Sequence, residues 1–181
     1  MLQIKIPAIE QWDESKQEFI YSKEQTLQLE HSLVSLSKWE SKWKKAFLTK
    51  HDKTYEETLD YIKCMTLTKN VDPETYFRLT NENLKQINDY ISDPMTATYF
   101  AEDPNARPGR DTVTSELIYY WMIALNIPPE YQKWHLNRLL TLIKVCNLKN
   151  QPNGKRRSKR DIMRQNAALN AARRKQLNTK G

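Results

Sequence analysis

The closest set of residues that could support acid–base chemistry consists of three carboxylates, Glu56, Glu57 and Asp60. Paired carboxylates act as general acid and base when their surroundings shift their pKa values apart. These three, however, stand at the start of a predicted helix, where the helix dipole favours negative charge. We therefore interpret them as charges that favour the helix and its solubility.

The histidines and cysteines do not form a metal-ligand pattern. His31, His51 and His135 lie in separate predicted elements, and no local set of cysteines or carboxylates surrounds them. We interpret His135 as a core or boundary histidine whose hydrogen bonds are satisfied. Cys64 and Cys146 each lie in an apolar helical pattern, which predicts buried free thiols in a reducing compartment.

Sequence motifs for catalysis are also missing. The chain has no glycine-rich phosphate loop, no GxSxG, no HExxH and no DxDxDG. We therefore expect a protein that is not an enzyme and that has no catalytic residues, no metal site and no cofactor.

The strongest chemical signal is positive charge at the C-terminus. Residues 151–181 carry ten Lys or Arg against one acidic residue, whereas residues 1–150 carry 19 basic and 21 acidic residues. Such a segment could bind nucleic acid through phosphate contacts or dock on an acidic protein. The five tryptophans and nine tyrosines could stack on bases, but most follow helical stripes that are typical of core packing.

The composition predicts a mainly α fold. Three glycines in 181 residues are too few for the turns of a sandwich or barrel. At the N-terminus, residues 2–6 and 19–31 alternate apolar and polar side chains, which predicts a short antiparallel β-strand pair joined through the polar region EQWDESKQ. We expect a helical body over residues 1–150 and a basic, conditionally ordered helical tail over residues 151–181.

Helix starts follow from capping patterns in the body. Ser32 is a predicted N-cap, Thr54 and Glu57 form a capping box, and Pro73 follows Asp72 at a first helical position. The first of these helices is expected to carry one apolar stripe, formed by Leu33, Leu36, Trp39, Trp43 and Phe47.

The centre of the core is predicted near the end of the body. TSELIYYWMIALNI is almost entirely apolar and predicts a helix that is buried on most sides. Pro128 and Pro129 end it and begin a second helix over residues 130–150. We expect the two to form an antiparallel hairpin in which Trp121 and Trp134 bury the most area and Leu139 faces inward.

Several sequence blocks together resemble a family of small proteins encoded by bacteriophages with long, non-contractile tails. The blocks are TLQLEHSLVSLSKWESKW, DYIKCMTLTKNVDP, DPMTATYF, SELIYYWMIALNIPPEYQKWHLNRLLTLIKVCN and NAALNAARRKQLN. The resemblance extends over nearly the whole chain. It implies a gene in the tail module and a tail assembly chaperone that keeps the tape-measure protein soluble before the tail tube forms. It implies no catalytic residues.

Two other functions stay open from the sequence. One is a structural virion component, such as a head–tail connector or tail-completion protein. The other is a nucleic-acid-binding module, non-specific and carried by the basic tail. We expect the host cytoplasm as the location, without membrane insertion, because no stretch approaches the roughly 20 apolar residues of a membrane span. A homo-oligomer is also compatible with the sequence.

The predicted partner-binding residues all lie in the basic tail. Apolar side chains recur there near helical spacing and interrupt the cations, which a purely phosphate-binding arm would not need. The predicted apolar contacts are Ile162, Met163, Leu169 and Leu177, and the predicted charged contacts are Arg164, Arg173 and Arg174.

Overall fold

The computed structural model describes residues 1–14, 17–49, 52–100 and 112–150, together with Met163 and Ala167. The chain divides into two units, Met1–Val145 and Cys146–Gly181. The first unit is mainly α-helical and begins with short antiparallel strands, which confirms the predicted fold class. The predicted division at residue 150 stays a prediction.

The predicted N-terminal strand pair is present and buried. Strand β1 (Leu2–Ile6) pairs antiparallel with β4 (Gln25–Leu29), and Ile4 lies opposite Leu27. The inward side chains of both strands, Ile4, Ile6, Leu27 and Leu29, are at most 1% exposed. The other edge of β4 is paired as well. The backbone N–H of Leu67, which follows a later helix in the chain, donates to the Gln28 carbonyl at 2.8 Å.

The polar region between the predicted strands is not a simple connection. It forms β2 (Ile9–Asp13), which pairs antiparallel with β3 (Glu18–Ser22). The run 19–31 is accordingly two strands rather than one. Pro7 separates β1 from β2, because proline has no N–H to donate to a strand ladder. The two pairs therefore lie consecutively along one hairpin.

Helix α1 (Leu33–Trp43) begins as predicted but ends earlier. The Ser32 side chain accepts a hydrogen bond from the Ser35 backbone N–H at 3.3 Å, and Lys44 closes the helix in the left-handed conformation, with φ 55°. The predicted extension of the helical stripe to Phe47 is wrong. Phe47 is nevertheless buried, because its ring stacks on Tyr61 with 3.9 Å between the centroids.

The next elements follow the predicted capping. Helix α2 (Tyr55–Met65) has the full capping box of Thr54 and Glu57. A 3-10 helix, Pro73–Arg78, has Asp72 as its N-cap, and α3 (Asn81–Ser92) has a capping box of Thr80 and Asn83. Helix α3 packs on β1 and buries Ile87 and Tyr90.

The predicted two-helix hairpin is not the centre of the core. Helix α4 (Ser115–Ala124) is followed by a second 3-10 helix, Pro129–Lys133, and by α5 (Leu136–Asn150). The prediction of one helix over residues 130–150 is therefore wrong. The prediction that Trp121 and Trp134 bury the most area is wrong, because both are only half-buried while Trp39 of α1 is 1% exposed. The predicted inward position of Leu139 is confirmed by its full burial.

The core is organised around α1. This helix packs against α2, α4 and the 3-10 helix Pro129–Lys133. Because α1 has neighbours on several sides, its large apolar side chains are buried even though the helix as a whole is not strongly apolar. The amphipathic α1 therefore carries the core, although α4 has the more apolar sequence.

Candidate protein-docking surface

Helix α4 is held in place at its first residue by a buried carboxylate. Glu40 of α1 accepts the backbone N–H of Ser115 through Oε2 at 2.7 Å and the backbone N–H of Phe47 through Oε1 at 2.8 Å. Thr114 caps the same end by accepting from the Leu117 N–H. The bonds to Ser115 and Leu117 satisfy N–H groups that the first turn of a helix leaves without partners.

The other end of α4 is equally defined. Asn126 adopts the left-handed conformation, with φ 54°, and the Ile127 N–H donates back to the Met122 carbonyl at 2.8 Å. Ile118, Met122 and Ile127 are buried on the side of α4 that faces the body. Both ends and the inner side of α4 are thus anchored.

The outward side of α4 exposes large apolar side chains. Tyr120 is 63% exposed and Ile123 is 76% exposed, and Ala124 beside them is also exposed. We call these three residues the α4 outer face. The prediction that α4 is buried on most sides is therefore wrong, because only Ser115, Ile118 and Met122 within the helix are buried.

An aromatic group lies on the element that follows α4. The Tyr119 hydroxyl donates to Gln132 Oε1 at 3.0 Å and ties α4 to the 3-10 helix Pro129–Lys133. Next to Gln132, the rings of Tyr131 and Trp134 stack at 4.0 Å, and the Arg138 guanidinium lies 4.0 Å from the Trp134 ring. Burial raises the pKa of Tyr119, so its hydroxyl stays a neutral donor.

The carboxylates that suggested acid–base chemistry have structural roles. Glu57 is buried, pairs with Lys45 and accepts the Thr54 N–H, and the Lys45 ammonium is the main cause of its lowered pKa. Asp60 is buried as well and accepts from Lys42 and from the Trp43 indole. The solubility part of the interpretation is wrong for these two buried carboxylates, whereas Glu57 does lie in the first turn of α2, where the helix dipole favours negative charge. Glu56 alone is exposed.

The structure brings together two histidines that lie far apart in the sequence. The rings of His31 and His135 are 5.0 Å apart, and both residues are buried. His31 Nδ1 lies 2.6 Å from the Tyr61 hydroxyl, and His135 Nε2 lies 3.0 Å from the Tyr90 carbonyl. The core placement of His135 is confirmed, but Nδ1 of its ring has no hydrogen-bond partner, so only half of its predicted hydrogen bonding is present.

Burial sets the protonation of this histidine pair. Burial is the larger cause and the neighbouring His135 the smaller one, and together they lower the pKa of His31 to about 3. Burial also lowers the pKa of His135, against the opposing effect of its hydrogen bond to Tyr90. Both rings are therefore neutral near pH 7.

The remaining predicted site residues are placed as follows. Cys64 and Cys146 are free but half-buried, which corrects the prediction of buried thiols. Met163 is helical and exposed, whereas Ile162, Arg164, Leu169, Arg173, Arg174 and Leu177 lie outside the described residues, as does His51. Within the described ranges, no group of three or more His, Cys, Asp or Glu could hold a metal ion.

No protein-family model, no curated protein and no solved structure matches this chain. Among the described helices, none is long and apolar enough to cross a membrane.

The α4 outer face was missed by the reasoning from sequence, although its signal was present. SELIYYWMIA has only Ser115 and Glu116 as strongly polar residues, so a body of this size must surround it completely or leave apolar side chains in solvent. Apolar patches that remain exposed on a folded protein commonly mark sites of protein–protein contact.

Proposed function

We propose that this protein is a tail assembly chaperone of a long-tailed bacteriophage and that it binds the tape-measure protein through the α4 outer face. The observation that carries the proposal is an almost wholly apolar helix that is anchored at both ends and yet exposes Tyr120 and Ile123. The resemblance of the sequence to tail-module proteins supplies the biological setting.

The chemistry of the partner fits this surface. A tape-measure protein is a long, largely helical chain whose apolar stripe is exposed until tail-tube subunits assemble around it. Helices of this kind bind apolar surfaces through side chains spaced three and four residues apart. Tyr120, Ile123 and Ala124 present the complementary spacing on α4.

The anchoring of α4 favours such binding. Side chains and loops that become ordered only on binding reduce affinity, and a helix already held by Glu40 and Ile127 avoids much of that cost. A tyrosine adds a large, rigid contact area and a hydroxyl that stays hydrated at the edge of an interface.

We propose the basic tail as a second contact with the same partner. Its apolar residues Ile162, Met163, Leu169 and Leu177 would extend the docking area, and its arginines would pair with acidic residues of the tape-measure protein.

The proposal is tested by co-expressing the tape-measure protein of the same phage with this chain and measuring the soluble fraction. We expect wild type to raise that fraction and to co-purify with the partner. Replacing the four apolar tail residues by serine should lower it if the tail also docks. A tape-measure protein that stays equally insoluble with and without wild type would overturn the proposal.

Mass spectrometry of purified virions separates the chaperone from a structural component. A chaperone is expected to be absent from finished particles, whereas stoichiometric copies of this chain would indicate a connector or tail-completion protein.

A further inference from the structure

The β2–β3 hairpin exposes a second, chemically different surface. In its antiparallel register Trp12 lies opposite Phe19, and Glu10 lies opposite Tyr21. Because alternate residues of a strand share a face, these four side chains lie on the same side of the hairpin. We call Trp12, Phe19 and Tyr21 the hairpin aromatic face.

The hairpin aromatic face is open to solvent. Trp12 is 47%, Phe19 54% and Tyr21 71% exposed, and the Trp12 and Phe19 rings meet edge to face at 4.9 Å between centroids. Three large aromatic side chains on a two-stranded ribbon cannot be explained by core packing. The buried β1–β4 pair, one step along the same hairpin, shows how the chain covers strands that do belong to the core.

Carboxylates lie on and beside this face. Glu10 lies on it, the exposed Glu14 follows the end of β2, and the exposed Glu18 alternates to the opposite side of the hairpin. Glu10 lies so close to Tyr21 that the hydrogen bond between their side chains raises the pKa of Tyr21. An aromatic face among carboxylates repels phosphate, so it does not suit the stacking of nucleic-acid bases.

A cleft lined by three acidic and two basic side chains continues from the same face. It has a volume of about 410 Å³ and is lined by Tyr21 together with Glu24, Asp72 and Glu74. Lys23 and Arg78 also line it, and the Arg78 guanidinium lies 3.4 Å from the Pro7 carbonyl, to which it donates. Tyr21 belongs to both features, so the cleft and the aromatic face form one continuous surface.

We propose that this continuous surface docks a cationic, amphipathic segment of a partner protein. Lysine and arginine side chains are attracted to the faces of aromatic rings, tryptophan above all, and form charge-assisted hydrogen bonds with carboxylates. The apolar side chains of the segment would cover Phe19 and Trp12, and one of its cations would enter the cleft between Tyr21 and Glu74. The proposal does not depend on the chaperone function, because it uses no residue of α4.

A designed peptide tests the proposal with the full-length protein. The probe is a fluorescein-labelled peptide of leucine and lysine arranged as an amphipathic helix, and binding is followed by fluorescence anisotropy at low and high salt. The comparison probes are a leucine–glutamate peptide of the same pattern and a single-stranded oligothymidine. We expect the leucine–lysine peptide to bind the wild type and to lose affinity in the hairpin variants described next, whereas binding of either anionic comparison probe to the basic tail should not change in those variants.

Paired variants locate the binding site. Glu10→Gln with Glu24→Gln, one on the aromatic face and one in the cleft, should weaken binding at least about fivefold and reduce its salt dependence. Matched substitutions elsewhere, Glu56→Gln with Glu82→Gln, remove the same charge from exposed helix positions and should leave binding unchanged. Trp12→Ala should weaken binding further, whereas the charge variants keep every aromatic side chain and so separate lost contacts from a disturbed hairpin.

Three results would overturn the proposal. Equal losses in the hairpin and control charge variants would mean that the peptide responds only to net charge. Unchanged binding in both the charge variant and Trp12→Ala would place the site elsewhere. Binding of oligothymidine that Trp12→Ala and the hairpin charge variant alter more than they weaken the leucine–lysine peptide would indicate a nucleic-acid site on the hairpin instead.

Discussion

Helices α1 and α4 lie against each other, yet they divide their apolar residues in opposite ways. Helix α1 has a polar outer side and buries Leu33, Leu36 and Trp39 completely or almost completely. Helix α4 has few polar residues, but leaves Tyr120 and Ile123 in solvent. In these two helices, burial does not follow the number of apolar residues. It follows the number of elements packed against the helix, which is larger for α1 than for α4.

This difference has a functional reading. The apolar residues of α1 are used within the fold, whereas those on the outer side of α4 exceed what its neighbours cover. Apolar side chains that stay exposed together on one helix commonly mark a site of protein–protein contact. Substitutions on the two helices should accordingly separate stability from binding.

The largest expected effect is on stability, at Trp39. Trp39→Ala should lower the free energy of unfolding by about 3–5 kcal/mol, because the side chain is fully buried and its indole N–H donates to the Glu57 carbonyl at 2.9 Å. Trp121→Ala should cost less than half as much, since Trp121 is half-buried. Chemical denaturation measures both. An equal or greater loss at Trp121 would mean that the core is centred on α4 and α5 rather than on α1.

A smaller loss is expected at the carboxylate that joins the two helices. Glu40→Gln should cost about 1–3 kcal/mol, because an amide nitrogen cannot accept and one of the two backbone N–H groups is left unsatisfied in a buried site. The exposed Glu56→Gln provides the control and should change stability by no more than about 0.5 kcal/mol. Similar small effects in both variants would show that α4 does not need the Glu40 contacts.

A pH-dependent effect follows from the buried histidine pair, His31 and His135. The pKa of His31 is lowered to about 3, so the unfolded chain binds a proton below about pH 6.5 that the folded protein does not. Stability is therefore full above pH 6.5 and falls as the pH decreases towards 3. When the pH falls from 7 to 6, His31 alone should lower the free energy of unfolding by about 0.7 kcal/mol.

Denaturation of wild type and His31→Asn at several pH values checks this prediction. The variant should be less stable near pH 7 but should lose less stability on acidification, because one titrating group is gone. A variant with the same pH dependence as wild type would show that His31 is already accessible to protons in the folded state.

Local features of this fold could be predicted from sequence, and long-range ones could not. Ser32 and Thr54 were predicted as caps, and a helix start was predicted at Pro73 behind Asp72, because a cap bonds to a backbone N–H within three residues. The β1–β4 pair was predicted from the alternation of its side chains.

The contacts that place the candidate sites depend on distant parts of the chain. The exposure of Tyr120 follows from the bond between Ser115 and Glu40, which are separated by 75 residues. His31 and His135 meet because their segments form an antiparallel bridge at Ser32, which no local spacing indicates. The β2–β3 hairpin was missed because its acidic residues resemble those of a loop, although Trp12 and Phe19 alternate as strand residues do.

The smallest expected effect on stability is on the α4 outer face. Tyr120→Ser with Ile123→Ser should change the free energy of unfolding by no more than about 0.5 kcal/mol for each exposed position. Tyr55→Ser is a closely matched control, because Tyr55 is also 63% exposed and lies in the first turn of another helix. Thermal unfolding of the three proteins measures the effect. A large loss in the double variant would mean that α4 needs these side chains to fold.

Docking at the α4 outer face is tested by the soluble yield of the tape-measure protein when it is co-expressed with each of these three proteins. We expect wild type and Tyr55→Ser to keep the partner soluble to the same extent, and Tyr120→Ser with Ile123→Ser to lose most of that yield while remaining folded. A folded double variant that keeps the tape-measure protein as soluble as wild type does would contradict the assignment of the α4 outer face as the docking surface.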